Sequence, residues 1–191
     1  IVSLVGESGS GKTSTGRALL QLTPIASGNI VFDGAEIKIN DKEYMKNFRK
    51  RAQMIFQDPY QSLNPRFTVF DIVTEPLLFT NSRAGLAEKE VLALKALEFA
   101  GLKPAAEYLY RYPHELSGGQ RQRVSIATCF IMSPDFIIAD EPVSMLDASV
   151  RADILKLFVS MKEQQGTSFL FITHDLALAW LISNRVAIMY L

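Results

Sequence analysis

The chain has 191 residues, of which 20 are basic and 20 acidic, so its formal net charge is zero. That balance leaves no electrostatic footprint for nucleic acid or for an anionic membrane surface. Hydrophobic residues make up 48% of the sequence, enough to bury the core of one compact domain, while no apolar run approaches the ~18–20 residues that span a bilayer.

The opening apolar run, residues 1–5, is too short for the hydrophobic region of a secretory signal. It predicts a strand that leads directly into Gly6-Glu7-Ser8-Gly9-Ser10-Gly11-Lys12-Thr13. This octet is a complete G-x-x-x-x-G-K-T phosphate-binding loop, placed as its mechanism requires, between a strand and a helix predicted over 12–22. The glycines let successive backbone N–H groups turn toward one phosphate, Lys12 supplies a point charge, and the Thr13 hydroxyl is suited to ligate Mg²⁺. By itself the loop says only that the chain binds a nucleoside triphosphate such as ATP.

Residues 28–34 predict a strand ending in an Asp33-Gly34 turn, with 35–39 as its hairpin partner. A short basic helix follows over 42–50, then a buried strand over 52–56. Strand signals vanish between 58 and 133, where helical patterns occupy 68–78, 88–101 and the stretch from Ser117 to about 132. Strands resume at 136–139, 168–173 and 185–190, alternating with helices over 149–165 and 175–182. This order predicts an α/β fold with a parallel sheet, a small antiparallel element, and a helical lobe (58–133) inserted into a nucleotide-binding core made of 1–57 and 134–191. Cys129 cannot pair within the chain. Its setting among Ile126, Ala127, Phe130 and Ile131 predicts a buried, inert thiol, consistent with a reducing compartment.

About a hundred residues after the phosphate loop comes Leu116-Ser117-Gly118-Gly119-Gln120. A serine and two glycines at a helix N-terminus offer free N–H groups, a positive dipole end and one hydroxyl, which together make a second anion site. An isolated Ser-Gly-Gly reads more plainly as an N-cap. Two such sites in one small domain make sense if the second reaches a phosphate held by another subunit.

With these two motifs the chain resembles an ATP-binding subunit of an ABC transporter, and further motifs follow in that family's order. Gln57, in Phe56-Gln57-Asp58-Pro59, resembles the glutamine loop. Phe136-Ile137-Ile138-Ala139-Asp140-Glu141 resembles the Walker B strand with its following glutamate. Ser144-Met145-Leu146-Asp147 resembles the D-loop, and His174 the switch histidine. The resemblance implies a P-loop NTPase fold of the ABC type that hydrolyses ATP with Mg²⁺. It assigns Glu141 as general base, His174 and Lys12 to the γ-phosphate, Gln57 to sensing phosphate and metal, and Thr13, Gln57 and Asp140 to the ion. Gly6 to Thr13, Ser117, Gly118, Gly119, Gln120 and Asp147 would contact nucleotide, the last five across a head-to-tail dimer. His114 reads instead as a surface or packing residue.

The segment 56–66, Phe-Gln-Asp-Pro-Tyr-Gln-Ser-Leu-Asn-Pro-Arg, is similar to that of ATPases in the oligopeptide, dipeptide and nickel importer group; Tyr112-Pro113-His114-Glu115-Leu116 and Asp140-Glu141-Pro142-Val143-Ser144 point the same way. The implied partners are a second ATPase subunit, two transmembrane permease subunits and, indirectly, an extracytoplasmic binding protein, with no nucleic acid; the implied place is the cytoplasmic face of the cell membrane. The alternative is a soluble ABC ATPase serving a non-transport enzyme complex, such as one for phosphonate cleavage. Two departures stand out: Met145 replaces a small residue of the D-loop, and Thr128-Cys129 stand where the family often has Arg-Ala. The family pattern also implies strands before residue 1, carrying an adenine-stacking aromatic, and strands after 191, so a piece of a longer chain is expected.

Overall fold

A computed structural model describes residues 1–58, 62–79 and 85–190. Pro59, Tyr60 and Gln61 of the importer-like segment therefore lie outside the described residues. Five strands form one all-parallel sheet: β1 (Val2–Gly6), β4 (Ala52–Ile55), β5 (Phe136–Asp140), β6 (Ser168–Thr173) and β7 (Arg185–Met189), in the spatial order β4-β5-β6-β1-β7. A separate two-stranded antiparallel ribbon pairs β2 (Val31–Phe32) with β3 (Ala35–Glu36). Its Asp33 and Gly34 both take positive φ, 53° and 76°, as a two-residue hairpin turn demands. The predicted hairpin is present but shorter than the sequence suggested.

Alternate residues of the central strands face opposite sides of the sheet, and both sides are covered. On one side Ile137, Ala139, Phe169 and Phe171 pack with Phe158 of α6 (Ala148–Gln165) and with the helices α3 (Val69–Thr74), α4 (Leu86–Phe99) and α5 (Gly118–Phe130). On the other, Met54, Ile138 and Ile172 pack with Leu20, just past α1 (Lys12–Leu19), and with Met45 and Phe48 of α2 (Lys42–Arg51). Two covered faces explain why these strands read as continuous apolar runs and not as alternating ones. The α7 helix (Leu176–Ile182) completes the chain order before β7.

No strand occurs between 58 and 133 among the described residues, and the predicted helices are there. The helix predicted over 68–78 divides: α3 ends at Thr74 and a tighter 3₁₀ segment, Glu75–Phe79, follows, because Pro76 cannot donate the backbone bond that would continue the α-helix. Arg51 ties the ribbon to the sheet. Its guanidinium donates to Asp33 at 2.7 Å and to Asp135, and lies 5.0 Å from the Phe32 ring.

Parallel strands share one direction, so their carboxyl ends lie along one edge, where α/β sheets place their ligands. The register aligns Val5 with Thr173, Asp140 with Ile172, and Ile55 with Ala139. Each of these strands leads into a loop carrying one of the motifs.

Candidate functional site

The turn from β1 to α1 is shaped by Gly9 and Gly11, at φ 88° and 95°, a left-handed region that L side chains avoid. Gly11 is also the N-cap of α1 and offers no side-chain cap, and no acidic residue stands in the first turn. The free N–H groups and positive dipole end of α1 are thus left facing the loop, a ready anion site. Lys12 is buried, and its ammonium donates to the Gly6 carbonyl at 2.9 Å and the Glu7 carbonyl at 2.6 Å. Ser10 is buried with its hydroxyl unpartnered among the described residues, whereas Glu7 and Ser8 are exposed.

The Thr13 hydroxyl donates to Asp140 Oδ1 at 3.1 Å, joining the start of α1 to the end of β5. Asp140 is 3% exposed. Burial pushes its carboxyl above the ordinary range; the Thr13 hydrogen bond opposes that shift, the Glu141 charge adds to it, and Arg17 and Lys12 oppose it. A hydroxyl and a carboxylate are hard oxygen donors of the kind Mg²⁺ takes. Among the described residues no cluster of three or more His, Cys, Asp or Glu side chains converges. The Thr13 and Asp140 oxygens fit an ion that takes the rest of its coordination from phosphates and water.

Glu141 is the centre of the site. Its backbone takes φ 44°, unusual for a residue with a side chain, while its N–H donates to the Ile172 carbonyl at 2.9 Å and its carbonyl accepts from the Ser144 hydroxyl at 3.0 Å. Oε1 lies 2.9 Å from His174 Nδ1, and Oε2 accepts from Gln57 Nε2 at 3.2 Å. Loops after β4, β5 and β6 thus meet on one carboxylate. Ser8, Gly9, Gly11, Lys12, Thr13, Gln57, Glu141 and His174 line a single cleft of about 440 Å³. Gln57, Thr13 and Asp140 also border a neighbouring cavity of about 620 Å³ that Cys129 and Met145 help to line.

Ser117, Gly118, Gly119 and Gln120 do not line that cleft among the described residues. Ser117 is the N-cap of α5 in a reciprocal box: its hydroxyl accepts from Gln120 N–H at 3.3 Å, and Gln120 Oε1 accepts from Ser117 N–H at 2.9 Å. A side chain at Gly119 would put its Cβ 2.8 Å from Val150 Cγ1 of α6, so a glycine is needed there for close approach. Asp147 is exposed at the N-cap of α6 and makes no side-chain cap bond. Among the described residues, Asp147 is likewise not part of the cleft lining. His114 is exposed and stacks on Tyr112, ring centroids 5.6 Å apart. Cys129 is buried, its thiol pushed up to about 12 by burial, 3.6 Å from the Met54 carbonyl.

Arg151, whose guanidinium reaches the loops after β5 and β6, has no signature in the sequence. A charged residue in the first turns of an amphipathic helix carries no signal that separates it from a solvated face. No helix among the described residues is long and apolar enough to cross a membrane.

The sequence matches the ABC transporter family profile over residues 1–144. The chain belongs to the ABC transporter family. It is 50% identical over 191 residues to the glutathione import ATP-binding protein GsiA of Pectobacterium atrosepticum, covering 100% of this chain and 30% of that protein. It is 46% identical over 190 residues to the oligopeptide transport ATP-binding protein OppF of Streptococcus mutans, covering 100% of this chain and 61% of that protein. The chain therefore spans less than two thirds of either relative, 30% of one and 61% of the other. In fold it is similar to the ATP-binding cassette MJ0796 in a dimeric post-hydrolysis state bound to ADP and Pi, with TM-score 0.88 and 30% identity over 99% of this chain and 80% of that one.

Proposed function

We propose that this chain is the ATP-hydrolysing, energy-coupling subunit of an importer for peptides or peptide-like cargo, acting as half of an ATPase dimer at the cytoplasmic face of the membrane. The observation that carries the reading is the convergence of Gln57 and His174 on Glu141 beside the phosphate loop. Relatives that import oligopeptides and glutathione, itself a short peptide, support the cargo class, and the dimeric ADP-bound neighbour supports the paired state.

Phosphoryl transfer to water needs positioning and charge stabilisation more than covalent help. The N–H groups at the start of α1 would cradle the phosphates of ATP. Lys12, released from the Gly6 and Glu7 carbonyls, would turn its charge to the β- and γ-phosphates. Glu141 would accept a proton from the attacking water, with His174 and Gln57 fixing both of its oxygens. Thr13, Asp140 and Gln57 would hold Mg²⁺, which when bound neutralises charge on the β- and γ-phosphate oxygens. Ser117 to Gln120 and Asp147, which do not line this chain's own cleft among the described residues, would complete the partner subunit's site.

In this reading residues 1–57 and 134–191 act as the nucleotide-binding core and 58–133 as the helical lobe that carries the Ser117–Gln120 motif. A groove of about 480 Å³ lies between them, lined by Lys42, Lys46, Arg49 and Lys50 of α2 and by Glu75, Pro76, Phe79 and Met132. The alternative, service to a soluble enzyme complex, has no comparable support. Cross-linking in cells with the full-length Glu141→Gln protein, followed by mass spectrometry, tests the assignment. Two polytopic membrane proteins among the neighbours are expected, and exclusively soluble partners would contradict it.

A further inference from the structure

We propose that Arg151 is a positioning residue for hydrolysis: it locks the loop after β5 to the loop after β6, and thereby sets His174 against Glu141. The proposal rests on the ATPase reading above.

Arg151 stands at the end of the first turn of α6, its N–H bonded to the Asp147 carbonyl at 2.8 Å. Its side chain leaves that helix for two other segments. Nη2 donates to the Leu146 carbonyl at 3.3 Å, and Nη1 lies 4.0 Å from Asp175 Oδ2. Its Nε is buried without a hydrogen-bond partner among the described residues. A cation near the start of a helix works against the helix dipole, so helix stability does not account for this arginine; the fork that spans two loops does.

Both loops are held by hydrogen bonds of their own where Arg151 meets them. On the first, Leu146 N–H donates to the Val143 carbonyl at 3.2 Å, and Ser144 closes onto the Glu141 carbonyl. On the second, Asp175 Oδ1 caps α7 by accepting from Ala177 and Leu178 N–H, and the Asp175 N–H donates to Thr173 Oγ1 at 3.0 Å. His174 sits between those two anchored residues. Glu141, Ser144, Arg151, Thr173, His174 and Asp175 surround a cavity of about 50 Å³, so the guanidinium and the Glu141–His174 pair border one small space. Asp147, the residue expected at the dimer interface, directly follows Leu146. Movement there would therefore be felt at His174 through one side chain.

The test is steady-state kinetics of the full-length protein in its assembled complex, for wild type, Arg151→Ala, Arg151→Lys, Asp175→Asn and the Arg151→Ala/Asp175→Asn double variant. Asparagine keeps the α7 cap while removing the ion-pair charge. Arg151→Ala is expected to lower kcat about 10- to 100-fold, the range that a small misplacement of reacting groups costs. The KM for ATP and the melting temperature should stay near wild type. Arg151→Lys, with charge but no fork, should recover part of kcat. Asp175→Asn should lower kcat too, and the double variant should be no slower than Arg151→Ala, because the two residues act as a unit.

The proposal is overturned if kcat of Arg151→Ala stays within about twofold of wild type, or if the two single effects multiply as independent sites do. It is equally overturned if kcat falls only in step with the melting temperature across the set; should Arg151→Ala not fold, Arg151→Lys and Asp175→Asn decide. A wild-type complex that does not hydrolyse ATP would instead sink the ATPase reading, and the proposal with it.

Discussion

His174 Nδ1 lies 2.9 Å from Glu141 Oε1, joining the end of β6 to the end of β5 across adjacent strands. The contact is set by the backbone on both sides. Glu141 takes a positive φ of 44°, and the parallel register places Asp140 beside Ile172, two residues before His174. His174→Ala should leave the fold and ATP binding intact, since the imidazole is largely exposed. It should lower kcat by about 10²-fold, the scale of a lost positioning contact. Rapid-quench turnover set beside nucleotide binding separates the two effects, and a variant that binds poorly but turns over normally would contradict the assignment.

Asp140 carries a cost in the folded protein. Its pKa is raised by burial, so between the ordinary carboxylate value and its native value the folded chain holds a proton that the unfolded chain has released. Stability attributable to this group therefore falls as pH rises through that window, and the deficit persists above it. Asp140→Asn keeps an acceptor for the Thr13 hydroxyl without the buried charge. It should melt at a higher temperature than wild type near neutral pH, with the difference shrinking as the pH is lowered. Thermal melts at a series of pH values check this; equal melting temperatures at neutral pH would count against it.

Gln122 is 1% exposed in the middle of α5, and both its amide atoms lack hydrogen-bond partners among the described residues. An unsatisfied buried polar group costs about 1–3 kcal/mol. Replacement by methionine, similar in length and apolar, should therefore raise the unfolding free energy by an amount of that order. Urea denaturation measures the change, and a destabilised Gln122→Met protein would show that the amide has a role the fold depends on.

The buried Cys129 thiol, pushed up to about 12 by the loss of solvation, should resist alkylation in the native protein at mildly alkaline pH and react once the chain unfolds. Labelling with iodoacetamide, with and without denaturant, reads this directly.

Much of this architecture is legible in the sequence because parallel strands covered on both faces announce themselves as short apolar runs. The span 168–173 is such a run, and the predicted and observed strands coincide there. The glycine loop and the Asp-Gly turn are equally plain, since few other residues tolerate those backbone angles. Element ends were less legible. The first helix stops at Leu19 and not at 22, and the break at Pro76 turns one predicted helix into two segments. The grip of Arg151 on two loops, and the sharing of one carboxylate by Gln57 and His174, depend on strand order. Residues 84 and 33 positions away in sequence meet at Glu141 because β4, β5 and β6 are neighbours in the sheet, a fact that no local pattern carries.

Single-turnover hydrolysis in full-length Glu141→Gln, set beside wild type, measures whether Glu141 is the proposed base that activates water. Glutamine can still bond to Gln57 and His174, so the variant should fold and bind ATP as wild type does. Its hydrolysis should be slower by ~10²–10⁴-fold, the usual loss on removing a general base. Hydrolysis at close to the wild-type rate would show that the base lies elsewhere.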